Sequence, residues 1–153
     1  GISGKGNAGV ASLIKQIKGS IGYVGTVYAI QNKMPVTSIQ NQAKNFITPN
    51  LESITNAVEN NIPSDSRTSI SNTSNPKGYP IAGLTWLIIY KNQAYKKRTQ
   101  QDYLDLKQLL TWMISDGQNY AADLSYAPLS KNLQKIAHDI IDKMEYTPSE
   151  EDS

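Results

Sequence analysis

The glycines near the start of the chain are the first residues whose spacing suggests chemistry. Residues 4–9 read GKGNAG, which matches the G-x-G-x-x-G pattern of dinucleotide-binding turns. That chemistry requires a strand before the pattern and an acidic residue at the end of the next strand. Only three residues precede Gly4, and the first acidic residue is Glu52. A dinucleotide site is therefore disfavoured, and a P-loop is excluded because Gly6 follows Lys5 where Ser or Thr is required.

Two other interpretations of the turn remain open. It can be purely structural, which we favour, or it can contact an anion through backbone N–H groups, because the start of a helix attracts negative charge. An anion would then lie against Ser3, Gly4, Gly6 and Asn7. These four residues form the candidate binding site of the chain.

Other residues that could do acid–base chemistry are better explained as surface. His138 is the single histidine and lies beside an apolar stripe, and Asp102 with Asp105 and Asp139 with Asp142 stand three residues apart. Paired carboxylates work as acid and base only where burial and a neighbour separate their pKa values. These carboxylates lie opposite apolar stripes, so a solvated face is predicted. The chain offers no nucleophile–base pair, and we predict no catalytic residues and no enzyme.

Composition restricts the possible partners. The net charge of +2 is small and the charged residues are scattered along the chain, which argues against binding to nucleic acid. The basic residues 96–98 could touch an acidic partner but are typical of a soluble loop. The absence of cysteine excludes disulfides and thiolate metal sites, and no metal or cofactor is predicted. No apolar run approaches the roughly 20 residues of a membrane span, and no signal peptide is recognised.

The elements around the turn predict an α/β protein. The apolar residues after the turn fall on one face of an α-helix: Val10, Leu13, Ile14 and Ile17. Asn7 can cap this helix, and Gly19 can end it in the left-handed conformation. Residues 21–24 predict a short buried strand. The predicted unit is therefore turn, helix and strand.

The middle of the chain predicts short elements and one long loop. The short elements are a helix over 27–32 and an edge strand over 36–39. A further helix is capped by Thr48, has Pro49 at its first position and ends before Pro63. The long loop covers residues 64–78. Residues 81–90 are almost continuously apolar, which predicts a strand buried on both faces, with Trp86 in the core.

The last third predicts two amphipathic helices. Thr99 caps the first, which Gly117 ends, and Trp112 is assigned to the core. Residues 118–124 predict a shorter helical piece. Ser130 caps the second helix, whose apolar face contains Leu133, Ile136, Ala137, Ile140, Ile141 and Met144. Residues 147–153 form an acidic tail.

Three blocks of sequence carry a family resemblance. They are GKGNAGV followed by GSIGYV and YAIQNK, then YPIAGLTWLIIYK at 79–91, and LLTWMISDGQNYAADLSYAPLSKNL at 109–133. In this order they resemble the second half of the phosphate-binding proteins of ABC transporters. Two positions depart from the family pattern: Gly25 stands where Glu is usual, and Ser130 where Pro is common.

The resemblance implies part of a two-lobed, type II periplasmic binding protein fold with inorganic phosphate between the lobes. It implies that backbone amides, hydroxyls, one Arg and one Asp hold the oxyanion, and that most of them belong to an N-terminal half absent here. The chain is then a C-terminal portion of a solute-binding protein that serves a membrane permease. The implied location is periplasmic or extracellular, and membrane-associated in organisms without an outer membrane.

The resemblance also implies domain boundaries. Residues 1–74 would complete the second lobe, 75–78 would connect the lobes, 79–146 would return to the first lobe, and 147–153 would be the tail. Without strands from the missing half, residues 81–90 would expose apolar faces, so we predict a partner chain, a swapped dimer or a rearranged fold. Two alternative functions remain: a scaffold domain that does not bind phosphate, and an enzyme that uses the glycine turn for a nucleotide.

Overall fold

A computed structural model describes residues 1–58 and 62–148. These residues form helices and one small sheet, in the order α1 (Gly6–Gln16), α2 (Thr26–Gln31), β1 (Ile39–Gln40), β2 (Phe46–Ile47), α3 (Leu51–Thr55), α4 (Gln100–Ile114), a 3₁₀ helix (Asp116–Tyr120) and α5 (Lys131–Ile141). α1 packs against α2, and α4 packs against both the 3₁₀ helix and α5. The content is mixed, as an α/β protein requires, but the strands are few.

The sheet is a short antiparallel hairpin. Ile39 pairs with Ile47 and Gln40 with Phe46, so the edge strand predicted at 36–39 begins three residues later than expected. Lys44 has a positive φ of 67° in the connecting turn. The sheet therefore positions one tight turn rather than a core.

Two predicted buried strands were wrong. Residues 21–24 and 81–90 form no ladder in the described part of the chain, and Ile21 and Ile88 are 97% and 96% exposed. The physical reason is that a strand needs a neighbour to satisfy its N–H and C=O groups, and no described segment supplies one. The core assignment of Trp86 and Trp112 was also wrong, because each residue is 47% exposed.

Two clusters of buried hydrophobic side chains share no residue. The first consists of Ala57, Ile70 and Ala82, with Ile54, Val58 and Leu84 packed against it. The second consists of Leu110, Ile141 and Met144, with Ile89, Tyr103, Leu106 and Ile114 around it. Leu84 and Ile89 thus anchor the apolar segment at opposite ends, one in each cluster.

Helix caps test the sequence predictions in detail. Thr99 caps α4 and Ser130 caps α5, as predicted, because each side chain accepts a hydrogen bond from a backbone N–H in the first turn. Thr48 was wrong as the cap of α3. Asn50 caps that helix instead, in a reciprocal capping box with Ser53.

The remaining boundaries differ by a few residues. The helix predicted over 27–32 is α2, and α3 ends before Pro63 as expected. α4 ends at Ile114 rather than at Gly117, and a 3₁₀ helix begins two residues earlier than the helical piece predicted at 118–124. The loop over 64–78 contains no regular element. Residues 149–153 of the predicted tail lie outside the described residues.

The cap of α4 gives a pH-dependent prediction. The Thr99 N–H and hydroxyl donate to Asp102 Oδ2 at 2.7 and 2.8 Å, and they lower the pKa of this carboxyl from its ordinary 3.8. Since the folded pKa is depressed, the contribution to stability is present above pH 3.8 and is lost as the pH falls through the lowered pKa. Urea unfolding should show wild type more stable than Asp102→Asn at pH 6, with the difference shrinking in acid.

Candidate functional site

The four candidate residues lie together. Ser3, Gly4, Gly6 and Asn7 line one groove of about 760 Å³ beside α1. The rest of its wall is largely apolar and comes from α1 and the residues after it, including Ile2, Val10, Leu13, Ile14, Ile17, Ile21 and Tyr23. The four residues that were grouped by their positions in the sequence therefore also lie together in the structure.

The turn requires its glycines for steric reasons. A Cβ on Gly4 would lie 2.6 Å from the carbonyl carbon of Gly9 and from the backbone N of Val10, so the chain could not approach α1 so closely. Gly6 has a φ of +64°, a conformation that side chains disfavour. This geometry explains the glycine spacing without any ligand, as the favoured structural interpretation of the turn predicts.

Replacing Gly4 by Ala should therefore separate the turn from α1. We expect a loss of about 1–3 kcal/mol in the free energy of unfolding, because the Cβ would press on backbone atoms that cannot rotate away. Gly83→Ala is the matched control: its Cβ would meet nothing within 4 Å, and its φ is not positive. Equal losses in urea unfolding for the two variants would contradict this steric explanation.

Asn7 has a different task from the predicted one. It does not cap α1, whose N-cap is Lys5 without a side-chain hydrogen bond. Its Oδ1 instead accepts the backbone N–H of Gly25 at 2.8 Å, and Gly25 is the N-cap of α2. Asn7 therefore ties the start of α1 to the start of α2. Gly19 adopts the predicted left-handed φ of 78°, but α1 already ends at Gln16.

The start of α1 retains the capacity to attract an anion. The backbone N–H groups of Gly6, Asn7 and Ala8 have no protein partner among the described residues. Such groups, together with the helix dipole, favour a negatively charged ligand. However, no charged side chain lines the groove in the part of the chain that the structure describes. The arrangement can orient an oxyanion but lacks the charge-assisted contacts that make such sites tight.

The carboxylates and the histidine form surface interactions, as predicted. His138 Nδ1 lies 3.0 Å from Asp142 Oδ2, and Lys107 Nζ lies 3.3 Å from Asp142 Oδ1. Asp105 accepts a hydrogen bond from Gln101, and Asp102 belongs to the cap of α4. The described residues contain no group of three or more acidic, histidine or cysteine side chains that could hold a metal ion.

The three basic residues at 96–98 differ in exposure and contacts. Lys96 and Lys97 are exposed in left-handed conformations, whereas Arg98 turns inward. Its guanidinium donates to Gln93 Oε1 at 2.9 Å and to the Tyr95 hydroxyl at 3.1 Å. The burial of Gln93 could not be predicted from the sequence, because a glutamine in a polar connection gives no signal of burial.

Within the described ranges, no helix has the length and apolar character needed to cross a membrane.

Comparison with known proteins defines the class: the relatives are phosphate-binding proteins. No family model matches the chain. The chain is 37% identical over 140 residues to phosphate-binding protein PstS of Xylella fastidiosa (strain 9a5c), which covers 88% of the chain and 37% of the relative. It is 33% identical over 132 residues to the PstS of Haemophilus influenzae, covering 84% of the chain and 38% of the relative.

A third relative is the PstS of Methanocaldococcus jannaschii, 29% identical over 127 residues. The resemblance predicted from the three sequence blocks is therefore confirmed, and most of this chain is PstS-like in sequence. The chain spans little more than a third of the length of the curated relatives it matches. Those relatives are named as binding proteins, and not as enzymes.

Proposed function

We propose that this chain is a portion of a solute-binding protein that binds inorganic phosphate for an ABC-type uptake system. The observation that carries the proposal is the 37% identity to a phosphate-binding protein over 88% of the chain. The groove at the start of α1 supports it, since the free N–H groups there have the chemistry that an oxyanion needs. The proposed role is binding and delivery, without catalysis.

In this proposal the Ser3–Asn7 turn forms one wall of the phosphate site. Ser3, Gly4 and Gly6 contribute backbone N–H groups or a hydroxyl, while Asn7 holds α2 beside the turn through Gly25. The Arg and Asp that complete an oxyanion site come from another part of the full-length protein. This division accounts for a groove that has N–H donors but, among the residues that the structure describes, no charged side chain in its wall.

We further propose a two-lobed, type II arrangement, with this chain as the C-terminal portion. In this proposal residues 1–74 belong to the second lobe, 75–78 connect the lobes, 79–146 return to the first lobe, and 147–153 form the tail. Two hydrogen bonds link the start of the returning segment to residues assigned to the second lobe. The Tyr79 N–H donates to the Ser53 carbonyl, and the Ser71 hydroxyl donates to the Ala82 carbonyl. Because of these contacts we propose that residues 79–84 still pack against the second lobe, and that the return to the first lobe begins after Leu84.

The proposed partners are those that phosphate uptake requires. Phosphate bound between the lobes would be delivered to the membrane permease of the transporter, in the periplasm or at the outer face of the cell membrane. A missing N-terminal half would supply the remaining ligands. No nucleic acid is expected, because the net charge is only +2 and the charged residues are scattered.

Calorimetric titration with inorganic phosphate tests the function. We expect no tight binding by this chain alone, and saturable binding once the N-terminal portion of a PstS relative is supplied. Sulfate serves as the control oxyanion. Micromolar binding by the chain alone would show that the turn suffices, which would contradict the proposed division of ligands.

A scaffold domain that does not bind phosphate is the second candidate. It is favoured by one observation, the uncharged wall of the groove in the described residues. Failure to bind phosphate with the N-terminal portion supplied would support it and would overturn the proposed transport role. A thermal-shift panel of nucleotides separates both candidates from the nucleotide enzyme.

A further inference from the structure

We draw no further inference here: the strongest candidate, the largely exposed apolar segment of residues 83–89 between the two clusters, lies in a chain that spans little more than a third of its relatives' length, and nothing in the structure shows what covers it.

Discussion

Replacing Asn41 by Ala should lower the free energy of unfolding by about 3 kcal/mol, because several buried polar groups would lose their partner at once. Asn41 is 3% exposed, and its Nδ2 donates to the carbonyls of Asn75, Pro76 and Gly78 at 3.0 to 3.2 Å. Its Oδ1 accepts the Asn45 N–H at 3.1 Å. This one side chain therefore fastens the turn after β1 to the loop at 75–78, and urea unfolding measures the loss.

Asn45→Ala is the matched control for this prediction. Asn45 is exposed, and its side chain makes a hydrogen bond to the Pro76 carbonyl at 3.1 Å. We expect its loss to cost less than about 1 kcal/mol, since water can replace an exposed partner. Asn41→Asp should be as harmful as Asn41→Ala at pH 7, because a carboxylate would face three carbonyl oxygens. Similar losses for Asn45→Ala and Asn41→Ala would show that burial of the amide is not the source of its effect.

The second large effect is expected at Gln93, which is fully buried. Its backbone N–H donates to the Glu145 carbonyl at 2.8 Å, its Nε2 donates to the Tyr90 carbonyl, and its Oε1 accepts from Arg98. Gln93→Ala would remove two side-chain hydrogen bonds and leave a cavity. A loss of about 3 kcal/mol is expected, measured by urea unfolding.

Gln101→Ala provides the comparison for Gln93→Ala. The Gln101 side chain is exposed and donates to Asp105 at 2.7 Å on the surface of α4. Its removal should change the stability by less than about 0.5 kcal/mol. If Gln93→Ala were equally mild, the contact between residues 90–98 and residues 145–147 would depend on backbone hydrogen bonds alone.

The sequence predicted local features better than long-range ones. Thr99 and Ser130 were recognised as caps because capping depends on residues three positions apart in the chain. The glycine spacing of the Ser3–Asn7 turn was noticed for the same reason, since its glycines and the helix that follows are adjacent in sequence, and its role as a binding site stays a prediction. The family resemblance came from short blocks that comparison then confirmed.

Most of the failures concern contacts made far along the chain, whereas the wrong cap at Thr48 is a local error. The apolar pattern at 81–90 predicted a buried strand, but whether such a segment pairs and is buried depends on strands that another part of a polypeptide must provide. Asn41 and Gln93 are polar residues in polar surroundings, and no periodicity marks them as buried. Asn7 is a residue type that commonly caps helices. Its side chain instead accepts a hydrogen bond from the N–H of Gly25, 18 residues away.

The separation of the two apolar clusters has a consequence for cooperativity. Melting the cluster around Ala57 removes no buried side chain from the cluster around Leu110, and the residues 85–88 between their anchors belong to neither. A hydrogen bond from Thr55 to the Pro128 carbonyl joins the two parts at 3.4 Å, which is long for a strong bond. Heat should therefore unfold this chain in two steps, with a calorimetric enthalpy larger than the van't Hoff enthalpy of either step.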